Sequence, residues 1–277
     1  MKNYLKLTNF EFNRFSKLYL SLILVTVLSQ LTGVFVTARK YTGQLNKLLY
    51  ENHMTEAAAL EELGPLSMAH VMRSMWVIGP VALCIAALVL YSFFIWYYDW
   101  MGKNTFAYRL LMLPVERISL FFSKLTVIFS SVLGLVGLQI ILLAAESQML
   151  KWLVPATFRT DYTLSQITSS SDFLMILIPS DFIGFVLQYG AGLMVLIVLF
   201  SAILMERSFR FKGLALGIAY CILSGFVLFL PIFIEIRNNK RFLYPSESLL
   251  LTILLGILIS GVSIFISNYL LNKKVTV

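Results

Sequence analysis

Marking every Asp, Glu, Lys and Arg in the chain leaves six long stretches free of them: 18–38, 74–98, 125–145, 182–205, 213–234 and 248–272. These runs hold 21, 25, 21, 24, 22 and 25 residues. A helix needs about 20 residues to cross the hydrocarbon of a bilayer, where only helices and closed barrels satisfy their own backbone groups. A barrel would show alternating segments of about ten residues, and the chain has none. The runs therefore predict an all-α membrane protein with six transmembrane helices in one domain over 1–277. The third run illustrates the energetics. It carries thirteen Leu, Ile, Val or Phe residues against one glutamine, whereas a central Arg would cost about 3 kcal/mol. Only 13% of the chain is charged, against about a quarter in soluble domains. The first run ends in Val36, Thr37 and Ala38, a faint likeness to a cleavage site, but it is longer than a signal-peptide core and reads as a helix.

Lys and Arg set the expected orientation. The N-terminus, the 99–124 and 206–212 connections and the C-terminus hold 13 of them in 55 residues, the remaining connections 9 in 84. The positive-inside rule then puts both termini in the cytoplasm. The same rule accounts for the net charge of +8 through membrane lipid rather than nucleic acid. In the first outward connection, "TEAAALEELGP" predicts a short helix with Thr55 as N-cap, Gly64 as C-cap and Pro65 beyond it. The third connection is Ser/Thr-rich over 160–171 and apolar over 173–178, which suits the membrane interface.

The stretch 99–125, "DWMGKNTFAYRLLMLPVERISLFFSKL", lies on the expected cytoplasmic side. Over 104–113 it can form a helix with Phe106, Leu110 and Leu113 on one side and Lys103, Tyr108 and Arg109 elsewhere. Pro114 ends that helix and can open the next, since a first turn does not need its N–H. An interfacial anchor touching anionic lipid accounts for the same spacing.

The wording of this stretch resembles the cytoplasmic segment of ABC-2 type permeases, the membrane subunits of bacterial ATP-binding cassette exporters. Thr105, Leu110, Leu111, Leu113, Pro114, Val115, Arg117 and Lys124 stand where that family has T, LL, P, a small apolar residue, R and a later K. Six helices with both ends inside also fit it, and "NFEFNRFSKLYL" resembles its amphipathic lead-in helix, with Glu11 and Arg14 on the polar side. The 235–247 connection has no sign of the re-entrant helix pair seen in some lipid and polysaccharide exporters of this class, so those cargoes fit less well.

The resemblance implies a separate cytoplasmic ATPase, which holds ATP and Mg, docked on a short coupling helix between the second and third spans. It also implies a second permease chain and residence in the bacterial cell membrane. The chain has no GxxxxGK[ST] phosphate loop and so reads as a transport subunit without its own cofactor. Expected ATPase contacts are Gly102, Lys103, Asn104, Thr105, Tyr108 and Arg109, with Glu11, Arg14, Arg207 and Arg210 secondary. Pro114 and Arg117 form the corner of the coupling helix.

Gln30, Gln139, Gln188, Tyr220 and Asn268 are the polar candidates for a transport path, with interhelical hydrogen bonding as the plainer role. The runs contain no ionisable carboxylate or cation, which disfavours an ion-coupled carrier and favours hydrophobic or amphipathic cargo such as a peptide, an antimicrobial compound or a lipid-like molecule. Gly213 and Gly217 form GxxxG, ordinary close packing or a dimer seam. His53 and His70 lack a ligand cluster and predict no metal, and Cys84 and Cys221 give no disulfide framework. Glu61 and Glu62 make an acidic pair without a catalytic partner, so an intramembrane protease or lipid-modifying enzyme is the weaker alternative. A non-transporting sensor or immunity subunit is the other.

Overall fold

The computed structural model describes residues 2–100, 116–209, 211–238 and 244–274. Six of its helices are long and apolar enough to cross a membrane. They are α1 (Lys2–Asn46), α4 (Met75–Trp100), α5 (Ile118–Leu153), α8 (Phe182–Phe209), α9 (Phe211–Asn238) and α10 (Pro245–Lys273). Short helices fill the connections: α2 (Glu56–Leu63), α3 (Met68–Met72), α6 (Leu164–Ser169) and α7 (Asp172–Leu177). The chain is an all-α protein of multi-pass membrane type.

Every expected span is present, but two run far past the charge-free stretch that announced them. At 1.5 Å per residue α1 is roughly 68 Å long and α5 roughly 54 Å, against about 30 Å of hydrocarbon. The reason is local: no proline interrupts 2–46, and the first glycine of that stretch is Gly33. The lead-in and the first span are thus one continuous helix.

Internal contacts divide the chain into two compact units. The first comprises Asn13–Leu88 and Ser130–Val186. Here α1 and α4 meet through three residues whose chemistry is interdependent. Pro80 lies inside α4 and has no N–H to give the carbonyl of Trp76, four residues earlier. Ser29 of α1 donates its hydroxyl to that carbonyl instead, at 3.0 Å. One turn on, a methyl group at Gly33 would stand 2.4 Å from the Trp76 Cβ, so only glycine allows the tryptophan this close.

In the same unit the connections between helices pack as a small structured cap. Thr55 accepts from the Ala58 N–H at the start of α2, and Gly64 closes that helix with φ of 69°, as the sequence predicts. A parallel bridge joins Leu66 to Arg159 and Ser67 to Thr160. Tyr41 of α1 donates to the carbonyls of Gly64 and Phe158, at 2.8 and 3.1 Å. Leu45, Met72, Leu150, Phe158, Ile167 and Leu174 are buried in the cluster that results. The apolar 173–178 segment thus contributes Leu174 to a core, while Met175 and Ile176 stay exposed.

The second unit comprises Met1–Phe12, Val89–Phe129 and Leu187–Val277. Its core centres on Trp96, Phe121 and Phe200, with Phe200 edge-on to both other rings at 5.5 and 5.7 Å. Methyl groups at Gly213 and Gly217 would stand 2.1 Å from the carbonyl oxygen of Met205 and 2.9 Å from that of Ala202. The GxxxG pair therefore seats α9 directly on α8 within the chain. Ser201 links α8 to α10 through the Ser267 hydroxyl at 2.8 Å and the Ser263 carbonyl at 3.1 Å, and Tyr220 of α9 reaches the Ser263 hydroxyl at 2.5 Å.

Candidate functional site

Of the residues expected to meet an ATPase, Gly102, Lys103, Asn104, Thr105, Tyr108 and Arg109 lie outside the described residues, as do Pro114 and Arg210. The flanks of that segment are described, and they hold the most heavily charged buried cluster of the second unit.

Lys124 stands in the second turn of α5, one turn beyond the core residue Phe121 and one before Ile128. Helical spacing therefore directs it inward, and it is 1% exposed. Its ammonium donates to Glu11 Oε1 at 2.7 Å, to Asp99 Oδ2 at 2.6 Å and to the Ile95 carbonyl at 2.9 Å. Ile95 and Asp99 are one turn apart on α4, which sets the carbonyl and the carboxylate side by side. A lysine ammonium has three N–H groups, and all three are engaged. The nitrogen also lies 5.4 Å from the Trp96 ring. Glu11 and Asp99 are buried as well, so the Lys124 ammonium bonds two carboxylates away from water.

The cluster thus ties three chain segments together. These are the first turns of α1, the end of α4 just before the 101–115 segment and the start of α5 just after it. Tyr4 reinforces the link through the Thr126 hydroxyl at 2.6 Å. Arg117 donates to the Leu271 carbonyl at 2.7 Å, placing a cation at the electronegative C-terminal end of α10. Tyr97 donates to the Glu206 carboxylate, and the Arg207 guanidinium lies 4.4 Å from the Tyr97 ring centre and 5.8 Å from that of Trp100.

These placements change the reading of several residues. Glu11, expected on the polar side of the lead-in helix, faces inward and is fully buried against Lys124. Its carboxylate bonds the Lys124 ammonium within the chain. Arg207 packs on two aromatic rings of its own unit, and Arg14 is partly buried.

Of the five polar candidates for a path, Gln30 and Gln139 are bonded to each other. Their amides bond reciprocally at 3.0 and 3.2 Å in a buried position of the first unit. Tyr220 pairs with Ser263, Asn268 accepts from Asn272 on an exposed helix face at 2.8 Å, and Gln188 is exposed. Gln30, Gln139 and Tyr220 each make an interhelical hydrogen bond.

Three features were hidden in the sequence. Asp99 carries no mark that it would meet Lys124, although both bracket the 100–123 stretch. The Ser201, Ser263 and Ser267 network is scattered across two helices. Glu146 lies just past the third charge-free run and is fully buried, with neither carboxyl oxygen hydrogen-bonded to a described residue.

No protein-family model, curated protein or solved structure matches the chain.

Proposed function

We propose that the chain is the membrane-spanning permease subunit of a bacterial ATP-binding cassette exporter of the ABC-2 type, with both termini in the cytoplasm. The reading rests first on the likeness of the 105–124 wording to that family. The observation that supports it most is the buried Lys124 cluster. Asp99 and Lys124 touch, so the end of α4 and the start of α5 are fastened to each other on either side of the 101–115 segment, and to α1 through Glu11. We read the segment that they flank as a protrusion that moves as one piece.

In this reading the protrusion is a coupling helix held by a separate ATPase, which binds ATP and Mg, since this chain lacks a phosphate loop. Closure of the ATPase pulls the protrusion, and the saturated ammonium passes the displacement to α1, α4 and α5 together. Tyr108 and Arg109 make the outer contact, and Lys124 and Asp99 position the segment without touching the partner. A second permease chain, the same or different, completes the transporter in the bacterial plasma membrane. The cargo is hydrophobic or amphipathic, consistent with spans that hold amide and hydroxyl pairs but no ion relay.

Extraction from native membranes in mild detergent, followed by intact-assembly mass measurement, tests this. A complex with two permeases and two copies of a nucleotide-hydrolysing chain is the expected result. A chain recovered alone, or with partners that do not hydrolyse ATP, favours a non-transporting subunit. In the assembled complex, Tyr108→Ala with Arg109→Ala uncouples hydrolysis from transport while insertion is unchanged; normal transport would dismiss these contacts.

A further inference from the structure

The strongest unassigned feature is a pocket of about 260 Å³ in the first unit, between α1, the 63–66 turn and α3. Thr37, Lys40, Tyr41 and Gln44 form its α1 wall, and His70 of α3 closes the other side. The four α1 residues recur at i, i+3, i+4 and i+7, so they share one helix face.

The floor is fixed. The Tyr41 hydroxyl holds the carbonyls of Gly64 and Phe158, and this clamps the turn against α1. The walls, by contrast, carry donors with nothing to bind. Among the described residues, Thr37, Lys40, Gln44 and His70 make no side-chain hydrogen bond or ion pair with the chain. They offer an ammonium, an imidazole N–H, an amide NH₂ and a hydroxyl. No carboxylate lines the pocket. The position is also telling. Thr37 lies at the end of the first charge-free run and Lys40 just beyond it, where the sequence predicts that an apolar span gives way to the headgroup region. Arg39, next to Lys40, is 5.5 Å from the Phe35 ring and does not line the pocket.

We propose that this pocket binds a phosphate monoester or phosphate anion, with Lys40 as the cationic partner and the His70 imidazole N–H, Thr37 and Gln44 as further donors. The site is independent of the permease reading: it lies in a different unit from the Lys124 cluster and needs no ATPase. A membrane lipid headgroup and a free phosphate share this chemistry and are separated by the choice of probe.

The test uses the full chain in non-ionic detergent, with binding measured by native mass spectrometry and titration calorimetry. The probes are inorganic phosphate, dihexanoyl phosphatidic acid and, as a control without phosphate, dihexanoylglycerol. Saturable binding of phosphatidic acid alone identifies a lipid headgroup site, and binding of inorganic phosphate as well identifies a site for the free anion. In either case Lys40→Gln with His70→Gln weakens binding at least tenfold, and Arg39→Gln leaves it unchanged. Lys40 and His70 are exposed, so the variant should keep its unfolding midpoint, which is measured alongside. The proposal is overturned if neither phosphate probe saturates, if dihexanoylglycerol binds equally well, or if Arg39→Gln weakens binding as much as the pocket variant.

Discussion

Replacing Lys124 by Met should be among the most damaging single changes in the second unit. The ammonium makes three bonds of 2.6 to 2.9 Å inside a site that water does not reach. Its removal takes a bonded cation from two buried carboxylates at once. Breaking a buried pair by taking away one partner costs about 3–5 kcal/mol, and here both carboxylates lose the same partner. The two acids are not equivalent to the base. Glu11→Gln keeps the Lys124–Asp99 pair and an amide oxygen that can still accept from Lys124, so it should cost only about 1 kcal/mol, the value of one hydrogen bond. Replacing all three (Glu11→Gln, Asp99→Asn, Lys124→Met) removes the three charged groups of the cluster together and should recover most of the loss, as uncharged substitutes for buried ion pairs often do. Lys124→Arg should not rescue, because a planar fork cannot aim three donors from one nitrogen. Unfolding by SDS titration in mixed micelles measures each variant. If Lys124→Met is no less stable than Glu11→Gln, or the triple variant is as unstable as the single one, the electrostatic account is wrong.

Gly33→Ala puts a methyl 2.4 Å from the Trp76 Cβ and should cost about 1–3 kcal/mol by overpacking, read by the same titration; Gly43→Ala, with open space around it, is the control. Glu146→Leu removes a buried carboxyl that has no hydrogen-bond partner among the described residues and should raise stability by about 1–3 kcal/mol. A loss of stability there would mean that the carboxyl is bound by something. A double-mutant cycle with Gln30→Leu and Gln139→Leu should give a coupling of about 0.6 kcal/mol and no more than about 1.7; zero coupling would show that the amides do not pair.

The spans were legible because a bilayer penalises charge heavily enough to leave six clean runs. Their ends were not. Nothing in local propensity tells α1 to stop at Ala38, and the helix continues to Asn46, where it joins the cap. The Thr55 and Gly64 caps could be read directly, since each depends on chemistry within four residues. Glu11 is the opposite case. A helical wheel groups it with polar neighbours, whereas its partner lies 113 positions away, and no local pattern carries that information. The same distance hid the pairing of Gln30 with Gln139, although both stood out as isolated amides in apolar runs. Ser29 shows a third limit: its value comes from the carbonyl that Pro80 leaves without a donor, a need created by another helix.

The central claim is that the segment closed off by Asp99 and Lys124 faces the cytoplasm, where an ATPase can hold it. Single cysteines in place of Tyr108 and Met54, in a background with Cys84→Ser and Cys221→Ser, can be probed with a membrane-impermeant maleimide. The account predicts that position 108 reacts in inside-out vesicles and not in intact cells, and that position 54, in the first outward connection, does the reverse. Reaction of position 108 in intact cells would put the segment out of reach of any ATPase and contradict the account.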